Sequence, residues 1–254
     1  MIAADTVTVK VKRRERPAAS SYWETFNVPR VPEANVISVL QQIAAHPVTA
    51  ENKKVAPVAW DCNCLEEVCG ACSMVINGRV RQACSALVDK LLEEDPTQIR
   101  LEPMSKFPVI RDLVVDRSRM FEALKRVKAW IPLDGYYDLG PGPAMSEAEQ
   151  ELAYPLSRCM TCGCCLEACP QINERSDFIG AAAVSQAILF NAHPTGRLTA
   201  HQRLEALMAP GGIADCGNAQ NCAKVCPKNI PLLASIARAG RQTTVYAIKR
   251  WLGR

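Results

Sequence analysis

The spacing of its cysteines constrains this chain more than any other feature of the sequence. All thirteen fall into three short segments, at residues 62–84, 159–169 and 216–226. A disulfide scaffold suits small secreted domains, and an odd number of cysteines would leave one of them unpaired. Thiolates are also soft ligands that suit iron–sulfur clusters or zinc. Metal or redox chemistry is therefore the better interpretation.

The first segment has the spacing of a plant-type [2Fe–2S] ferredoxin. Cys64, Cys69 and Cys72 are separated by four and two residues, and Cys84 follows after eleven more. Gly70 lets backbone amides approach the sulfides closely. We therefore predict that these four cysteines bind a [2Fe–2S] cluster.

A zinc site is the structural alternative for the first segment. Four cysteines can close a tetrahedral zinc site, which would make this part of the chain an interaction module without a redox role. The four-residue loop followed by the sequence CGAC favours iron. Cys62 could replace Cys64 as a ligand, but it breaks the spacing, so we interpret it as an ordinary thiol.

The second and third segments resemble the two cysteine runs of a bacterial ferredoxin. The stretch CMTCGCCLEACP is a complete C-x2-C-x2-C-x3-C-P run, and DCGNAQNCAKVCP repeats it with Ala219 in the second position. In two-cluster ferredoxins the fourth cysteine of each run binds the other cluster. The expected [4Fe–4S] ligands are therefore Cys159, Cys162, Cys165 and Cys226.

Ala219 leaves the other cluster with three ligands, Cys169, Cys216 and Cys222. Three thiolates suit a [3Fe–4S] cluster, whose missing iron matches the missing ligand. A labile [4Fe–4S] cluster with water as its fourth ligand is the alternative, but nothing nearby resembles the site of a hydro-lyase. Cys164 is surplus to both sets, and we interpret it as a small buried packing residue.

Hydrophobic periodicity divides the chain into two domains, residues 1–106 and 107–254. In the first, Val7, Val9 and Val11 alternate as in a strand, and Asn35 can cap a helix. The dipeptide at residues 77–78, Asn-Gly, predicts a hairpin. In the second, helical spacing dominates, including an apolar stripe over residues 112–131. The fold class is therefore α+β, with a small mixed sheet followed by helices.

Other features exclude several classes of protein. The net charge of +4 is too small to suggest a nucleic-acid partner. No apolar stretch is long enough to span a membrane, and the N-terminus has no signal pattern, so we expect a cytoplasmic chain. A flavin-binding chain would be expected to carry a glycine-rich pyrophosphate loop, and none is present. The three histidines lie outside the cysteine motifs, which argues against a Rieske centre.

A plant-type [2Fe–2S] domain followed by a ferredoxin domain with one incomplete run resembles the iron–sulfur subunit of succinate dehydrogenase and fumarate reductase. The resemblance covers nearly the whole chain and is most similar to the Gram-positive branch. It is carried by the stretches CNCLEEVCGACSMVING, LEPMSKFPVIRDLVVDRSRM, CMTCGCCLEACP and CGNAQNCAKVCPKNIPL. It implies an N-terminal β-grasp domain and a C-terminal all-α domain of the α-helical ferredoxin type.

The resemblance also implies a function for the chain within a complex. A separate flavoprotein oxidises succinate at its FAD, and electrons pass through the [2Fe–2S], [4Fe–4S] and [3Fe–4S] clusters to membrane quinone, here menaquinone. A membrane anchor with two haems b would hold this chain peripherally at the cytoplasmic face of the plasma membrane. The chain itself would have no substrate site.

Two other functions share parts of this pattern. A quinol:fumarate reductase would use the same path in reverse. The iron–sulfur subunit of another flavin dehydrogenase is a further alternative, but such subunits usually have two complete ferredoxin runs or unrelated cysteine-rich domains.

One departure from the family concerns quinone. Relatives that reduce ubiquinone carry a tryptophan shortly after the Cys-Pro of the first ferredoxin run and a histidine after the first cysteine of the second. Gln171–Ser176 and Gly217 stand at these places, which favours menaquinone. Pro170 and the surroundings of Ala219 are still expected to face the anchor.

The C-terminal tail is basic and partly apolar. Residues 238–254 contain five basic side chains and no acidic one. Such a segment could lie against a membrane surface or an anchor subunit, or it could be a terminal helix that packs on its own domain.

Overall fold

The computed structural model describes residues 6–131 and 144–253. These residues form two compact units, one made of residues 6–117 and 162–167 and the other of residues 118–131, 144–161 and 168–253. The domain boundary predicted between residues 106 and 107 stays a prediction. The Gly/Pro-rich composition of residues 134–145 predicts a loop, and all but the last two of these residues lie outside the described part of the chain.

The first unit contains a five-stranded mixed sheet and a separate two-stranded hairpin. The sheet has the strand order β2-β1-β5-β3-β4, in which β1 and β5 are parallel and the other pairs are antiparallel. This mixed sheet confirms the fold class predicted for the N-terminal part of the chain. The strands are β1 (Thr6–Arg13), β2 (Tyr22–Pro29), β3 (Ser73–Ile76), β4 (Arg79–Gln82), β5 (Ile99–Glu102), β6 (Val109–Arg111) and β7 (Val114–Val115).

The helices dominate the second unit. The helices α1, α2 and the short α5 belong to the first unit, and the others belong to the second. Two short 3-10 helices lie at Gly196–Thr199 and Ile213–Asp215. The α-helices are α1 (Val36–Ala45), α2 (Val88–Glu94), α3 (Ser118–Arg126), α4 (Glu147–Ser157), α5 (Cys164–Glu167), α6 (Gly180–Ala192), α7 (Ala200–Met208), α8 (Asn221–Lys224) and α9 (Leu232–Trp251).

The core of the first unit lies between the sheet and α1. Val9 and Val11 of β1 are completely buried in the same apolar cluster as Leu40 of α1. The helix begins where the sequence predicted, because the side chain of Asn35 accepts a hydrogen bond from the Ser38 amide at 3.0 Å. The alternating apolar pattern therefore forms a strand, and the predicted cap begins a helix.

The β3–β4 hairpin carries two of the predicted ligands at its open end. Asn77 and Gly78 adopt φ values of 48° and 76°, as a tight hairpin turn requires. Cys72 precedes β3 and Cys84 follows β4, and the amide of Ala83 donates to the Cys72 carbonyl at 3.1 Å. The predicted hairpin thus brings the chain back from Cys72 to Cys84 at the same end of the sheet.

The continuous helix predicted over residues 112–131 is wrong in its first part. Asp112 forms the turn between β6 and β7 with φ 47°, and α3 begins only at Ser118. The Asp112 carboxylate is completely buried and accepts hydrogen bonds from the amides of Arg14 at 3.0 Å and Ala59 at 2.9 Å. These long-range contacts hold a left-handed turn that helical periodicity cannot reveal.

The second unit is built around α6, which is buried along almost its whole length. Helices α3, α4, α7 and α9 all contact it. Ser146 and Glu149 have the spacing of a capping box and form one at the start of α4. Arg203 of α7 is buried, and its Nε donates to the Asn191 side chain at 2.7 Å. These observations confirm that the C-terminal domain is helical, as far as the structure describes it, although β6 and β7 fall within residues 107–254.

The last helix, α9, packs on its own unit along its first turns. Ala239 and Thr243 are buried, whereas Ile248 is 52% exposed and Trp251 is 85% exposed. In the part of the chain that the structure describes, no helix combines the length and apolarity needed to cross a bilayer.

Candidate iron–sulfur cluster sites

The loop after Cys64 surrounds its sulfur with backbone donors. The amides of Glu66, Val68 and Cys69 lie 3.4, 3.2 and 3.3 Å from Cys64 Sγ. Several N–H groups converging on one point form an anion-binding concavity of the kind found at iron–sulfur sites. The loop is therefore built to stabilise a thiolate at Cys64.

This convergence depends on an unusual backbone. Leu65, Glu67 and Gly70 all have positive φ values, of 61°, 54° and 73°. Left-handed residues at short intervals turn successive amides towards the same side of the loop. Only the glycine adopts this conformation without strain, so the loop holds two residues in a disfavoured region where the ligands lie.

The four predicted ligands of the first segment have different electrostatic surroundings. Backbone hydrogen bonds lower the pKa of Cys64 to about 7. Burial, together with a hydrogen bond to Cys72, raises the pKa of Cys84 to about 12. Both Cys72 and Cys64 act electrostatically on Cys84, and Cys64 hydrogen-bonds to Cys69. The structure thus brings Cys64, Cys69, Cys72 and Cys84 together.

Cys62 lies beside this group as an exposed thiol. Its pKa is raised by partial desolvation and by the neighbouring Cys72 and Cys69. Of the two cysteines that could open the first segment, only Cys64 has surroundings that favour a thiolate.

Arg117 is a residue of this site that the sequence did not single out. Its Nη1 donates to the Gly70 carbonyl at 2.5 Å and its Nη2 to the Ala71 carbonyl at 2.7 Å. Gly70 and Ala71 are the two residues between the predicted ligands Cys69 and Cys72. A planar guanidinium that holds two successive carbonyls fixes the tightest part of the ligand loop. No local sequence signal marks this residue, because 46 and 47 positions separate it from its partners.

The short segment of residues 162–167 carries two ligands predicted for the [4Fe–4S] cluster. Gly163 separates Cys162 from Cys164 with φ 89°, and a Cβ on it would lie 3.1 Å from the Phe107 ring. A hydrogen bond from Cys164, aided by the charge of Arg117, lowers the pKa of Cys162 to about 7. Cys162 is therefore prepared to act as a thiolate ligand.

The other two predicted [4Fe–4S] ligands belong to the second unit. Cys159 follows α4, and Cys226 lies just after α8, where the amide of Ile230 is 3.5 Å from its sulfur. The assignment of Cys159, Cys162, Cys165 and Cys226 to one cluster stays a prediction.

The third predicted site is a cavity within the second unit. Cys169, Cys216 and Cys222 line it together with Ala219. Burial raises the pKa of Cys222, and the neighbouring Cys169 and Cys216 raise it further. The three cysteines therefore lie close together, and the methyl group of an alanine stands on the same cavity wall where the template has a fourth cysteine.

Gln171, which the sequence analysis named only as the first residue of a segment, lines the same cavity. A Cβ on Gly217 would lie 2.5 Å from Gln171 Nε2, so the glutamine amide occupies the space beside Gly217. A residue with a side chain at position 217 would have to displace it. Position 217 is thus a glycine, and not a histidine, where the Gln171 side chain fills the space beside it.

A single metal ion and an iron–sulfur cluster place different demands on the positions of their ligands. Across residues 6–131 and 144–253, no three His, Cys, Asp or Glu side chains converge closely enough to bind one ion. Zinc in a structural site would draw four ligands around one point. In a [2Fe–2S] cluster two thiolates bind each iron, and in a [3Fe–4S] cluster each iron has one, so no three cysteines need to converge.

Comparison with known proteins assigns both cysteine-rich parts of the chain. Residues 8–122 match a 2Fe-2S iron-sulfur cluster binding domain, and residues 155–230 match a 4Fe-4S dicluster domain. The chain is similar in fold to a chain of the Mycobacterium smegmatis Sdh1 complex in the apo form, with a TM-score of 0.76 and 22% sequence identity. That match covers 96% of this chain and 98% of the other.

Two curated relatives extend over almost the full length of the chain. It is 57% identical to the succinate dehydrogenase iron-sulfur subunit of Bacillus subtilis, over 98% of this chain and 96% of the relative. It is 31% identical to the fumarate reductase iron-sulfur subunit of Wolinella succinogenes, over 93% and 96%. The chain belongs to the family of iron–sulfur subunits of succinate dehydrogenase and fumarate reductase, which transfer electrons within oxidoreductase complexes.

Proposed function

We propose that this chain carries electrons from the FAD of a succinate-oxidising flavoprotein to a membrane quinone, through a [2Fe–2S], a [4Fe–4S] and a [3Fe–4S] cluster. The observation that carries the proposal is the cavity lined by Cys169, Cys216 and Cys222, with Ala219 at the position of a fourth ligand. These three cysteines would supply three thiolate ligands and no fourth. A [3Fe–4S] cluster usually has a higher potential than a ferredoxin [4Fe–4S] cluster, which suits the quinone end of the path.

The remaining ligand sets follow from spacing and from local chemistry. We assign Cys64, Cys69, Cys72 and Cys84 to the [2Fe–2S] cluster, because backbone amides and Arg117 prepare their loop for thiolates. We assign the [4Fe–4S] cluster to Cys159, Cys162, Cys165 and Cys226 from the crossed pattern of ferredoxin runs.

The clusters and the protein contribute differently to electron transfer. The clusters, when bound, supply one-electron carriers that divide the two-electron oxidation of succinate into single steps. The chain holds them in place, donates hydrogen bonds to their ligands and shields the buried sulfurs of Cys72, Cys84, Cys165 and Cys222 from water. Hydrogen bonds, charge and solvent exposure then set the potentials.

The partners proposed are an FAD-containing flavoprotein, a membrane anchor with two haems b, and menaquinone. The 57% identity to a Bacillus subtilis succinate dehydrogenase subunit supports this branch, as does Gly217 at the position where relatives that reduce ubiquinone carry a histidine. We further propose a peripheral location at the cytoplasmic face of the plasma membrane. The quinone would lie near the three-thiolate cavity, beside Pro170 and Gln171.

A quinol:fumarate reductase is the second candidate, because the chain is also 31% identical to a fumarate reductase subunit. The same ligand sets would serve both directions. Comparing succinate oxidation with fumarate reduction by the purified complex, with menaquinone and menaquinol as partners, separates the two. A complex that reduces fumarate rapidly but barely oxidises succinate would favour the reductase.

Low-temperature EPR on the anaerobically purified complex tests the cluster assignment. The oxidised sample should give a three-iron signal, and reduction with succinate should add a [2Fe–2S] signal. An oxidised sample without any signal, with only four-iron signals after stronger reduction, would mean that another ligand fills the place of Ala219. Zinc without acid-labile sulfide would instead support a structural zinc module.

A further inference from the structure

The side-chain amide of Gln171 is a polar group at the three-thiolate cavity to which the ligand assignment gives no role. Gln171 follows Cys169 and Pro170 in the chain and is half-buried. It lines the cavity together with Cys216 and Gly217. An amide nitrogen carries N–H donors, and thiolates and sulfides are acceptors. The amide is therefore placed where it can donate to a sulfur-rich cofactor.

The other amide side chains around the cavity are less suited to this role. Asn221 already donates to a backbone carbonyl at 3.1 Å, and Asn218 and Gln220 are exposed to solvent. Across residues 6–131 and 144–253, no residue accepts a hydrogen bond from the side chain of Gln171. Its donors therefore remain available to a group bound in the cavity.

Gly217 leaves the space that the Gln171 amide occupies. A Cβ at position 217 would lie 2.5 Å from Gln171 Nε2 and 3.2 Å from its Cδ. The first distance is far shorter than the usual separation of nonbonded atoms, so any side chain at this position would displace the amide. The nitrogen is the amide atom nearest to Gly217, which directly follows the predicted ligand Cys216. The donor end of the amide thus lies on the Cys216 side of the cavity.

We propose that the Gln171 amide donates a hydrogen bond to a sulfur of the [3Fe–4S] cluster on the side of Cys216, and that this bond raises the potential of the cluster. The proposal rests on the proposed function, which assigns Cys216 as a ligand. Hydrogen bonds to the sulfurs are among the factors that set cluster potentials. A donor stabilises the reduced state because that state carries the more negative charge. Gln171 then favours electron transfer towards the quinone end, and Gly217 admits its amide.

Redox titration of the assembled complex, followed by the EPR signal of the three-iron cluster, tests the proposal. Gln171→Leu replaces the amide with an apolar group of similar size and should lower the [3Fe–4S] midpoint potential. Gly217→Ala should also lower it, because the new methyl group displaces the amide and leaves every predicted ligand in place. The [2Fe–2S] and [4Fe–4S] potentials should be unchanged in both variants.

The effects of these two substitutions should not add. Once leucine stands at position 171, Gly217→Ala has no amide to displace, so the double variant should have the potential of Gln171→Leu alone. Neighbouring residues that act through one interaction show this coupling, whereas independent sites add. Fully additive shifts would overturn the proposal, because position 217 would then act on the cluster without Gln171.

Isotopic labelling of the glutamine side-chain nitrogen gives a readout that a purely structural role of Gln171 would not change. Pulsed EPR of the oxidised three-iron cluster should detect coupling to a labelled nitrogen in the wild type, and Gln171→Leu and Gly217→Ala should lose it. Gln186→Leu is the matched control, since Gln186 lies in the same unit and donates to the Leu156 carbonyl at 3.0 Å. It should change neither the coupling nor the potential.

An unshifted [3Fe–4S] potential in Gln171→Leu would overturn the proposal, and so would a raised one, which would mean that the amide oxygen faces the cluster. Gly217→Ala keeps the test decisive if Gln171→Leu fails to assemble, because an unshifted potential in that variant contradicts the proposal in the same way. A wild-type complex without a three-iron signal would contradict the proposed function itself. A normal wild-type signal with unshifted variants would contradict only the role of Gln171.

Discussion

Arg13 and Asp112 form a buried ion pair in the first unit, with Arg13 Nε 2.9 Å from Asp112 Oδ1 and both side chains at most 2% exposed. The guanidinium also pairs with Glu24. The pair connects the end of β1 to the turn between β6 and β7. Two residues 99 positions apart thus hold together the sheet and the hairpin that precedes Arg117.

Asp112→Ala should destabilise the chain strongly. The change leaves the buried charge of Arg13 with Glu24 alone and removes the acceptor for the amides of Arg14 and Ala59. Removing one partner of a buried pair costs about 3–5 kcal/mol. Urea denaturation of the cluster-loaded chain, followed by circular dichroism, measures the loss.

Asp89→Ala is the control for this prediction, because the pair of Asp89 with Arg30 is substantially exposed. Its loss should cost about 1 kcal/mol or less. Equal denaturation midpoints for Asp112→Ala and Asp89→Ala would show that the buried pair adds no particular stability.

Arg117→Gln should make the [2Fe–2S] cluster easier to remove. The variant loses the two hydrogen bonds that hold the carbonyls of Gly70 and Ala71. Loss of groups that support metal ligands typically weakens metal binding about 10–100-fold. A chelator should therefore bleach the visible absorption of the variant faster. Arg117→Lys should give an intermediate rate, because lysine keeps the positive charge but cannot donate two parallel hydrogen bonds.

Arg119→Gln serves as the control for Arg117, since Arg119 donates to the Ser176 carbonyl in the second unit. It should leave the bleaching rate of the [2Fe–2S] cluster unchanged. A rate for Arg117→Gln equal to that of the wild type would show that the loop keeps its shape without the guanidinium.

Ala219→Cys should convert the three-thiolate site into one that binds a [4Fe–4S] cluster. Ala219 lines the cavity shared by Cys169, Cys216 and Cys222, so a thiol there completes the ferredoxin set. The three-iron EPR signal of the oxidised complex should disappear and the potential of this centre should fall. Ala223→Cys, outside the cavity lining, should keep the signal. An unchanged three-iron signal in Ala219→Cys would contradict the ligand assignment.

Cys64 and Cys62 should differ in their pH dependence once the clusters are removed. The backbone amides lower the pKa of Cys64 to about 7, so its thiolate predominates above that pH. Desolvation and neighbouring cysteines raise the pKa of Cys62. Because the thiolate is the reactive form, alkylation of Cys64 should reach half its maximal rate near pH 7, and Cys62 should require a higher pH. Mass spectrometry of the alkylated peptides measures both.

The same shift has a consequence for stability. A thiol whose folded pKa is lowered stabilises the folded loop above its unfolded pKa, and this contribution is lost as the pH falls through 7. Identical alkylation profiles for Cys64 and Cys62 would show that the amides do not hold Cys64 as a thiolate in the cluster-free chain.

Removal of residues 249–254 should weaken assembly with the membrane anchor. The described end of this segment exposes Trp251 and Leu252 beside the basic Lys249 and Arg250, which suits a membrane surface or an anchor subunit. Co-purification of the anchor with the truncated chain measures the effect. Tyr154→Ala, which removes an exposed aromatic side chain from α4, should leave co-purification intact. Full recovery of the anchor with the truncated chain would favour a terminal helix that serves only its own unit.

Much of the local structure of this protein can be predicted from short sequence patterns. The strand that buries Val7, Val9 and Val11, the cap at Asn35 and the hairpin at Asn77 follow from periods and short motifs, because backbone geometry links those patterns to structure. The spacing of Cys64, Cys69 and Cys72, and the loss of a cysteine at Ala219, likewise predict the kinds of cluster before any fold is known.

Only the tertiary structure revealed the groups that surround those cysteines. The fold buries Arg13 against Asp112, although a charged side chain in a sequence is usually expected to be exposed. Arg117 and Gln82 reach the cysteine segments across 46 and 82 positions of the chain. The physical reason is that ligand spacing is a property of a short loop, whereas the hydrogen bonds that orient the ligands join residues that are adjacent only after folding.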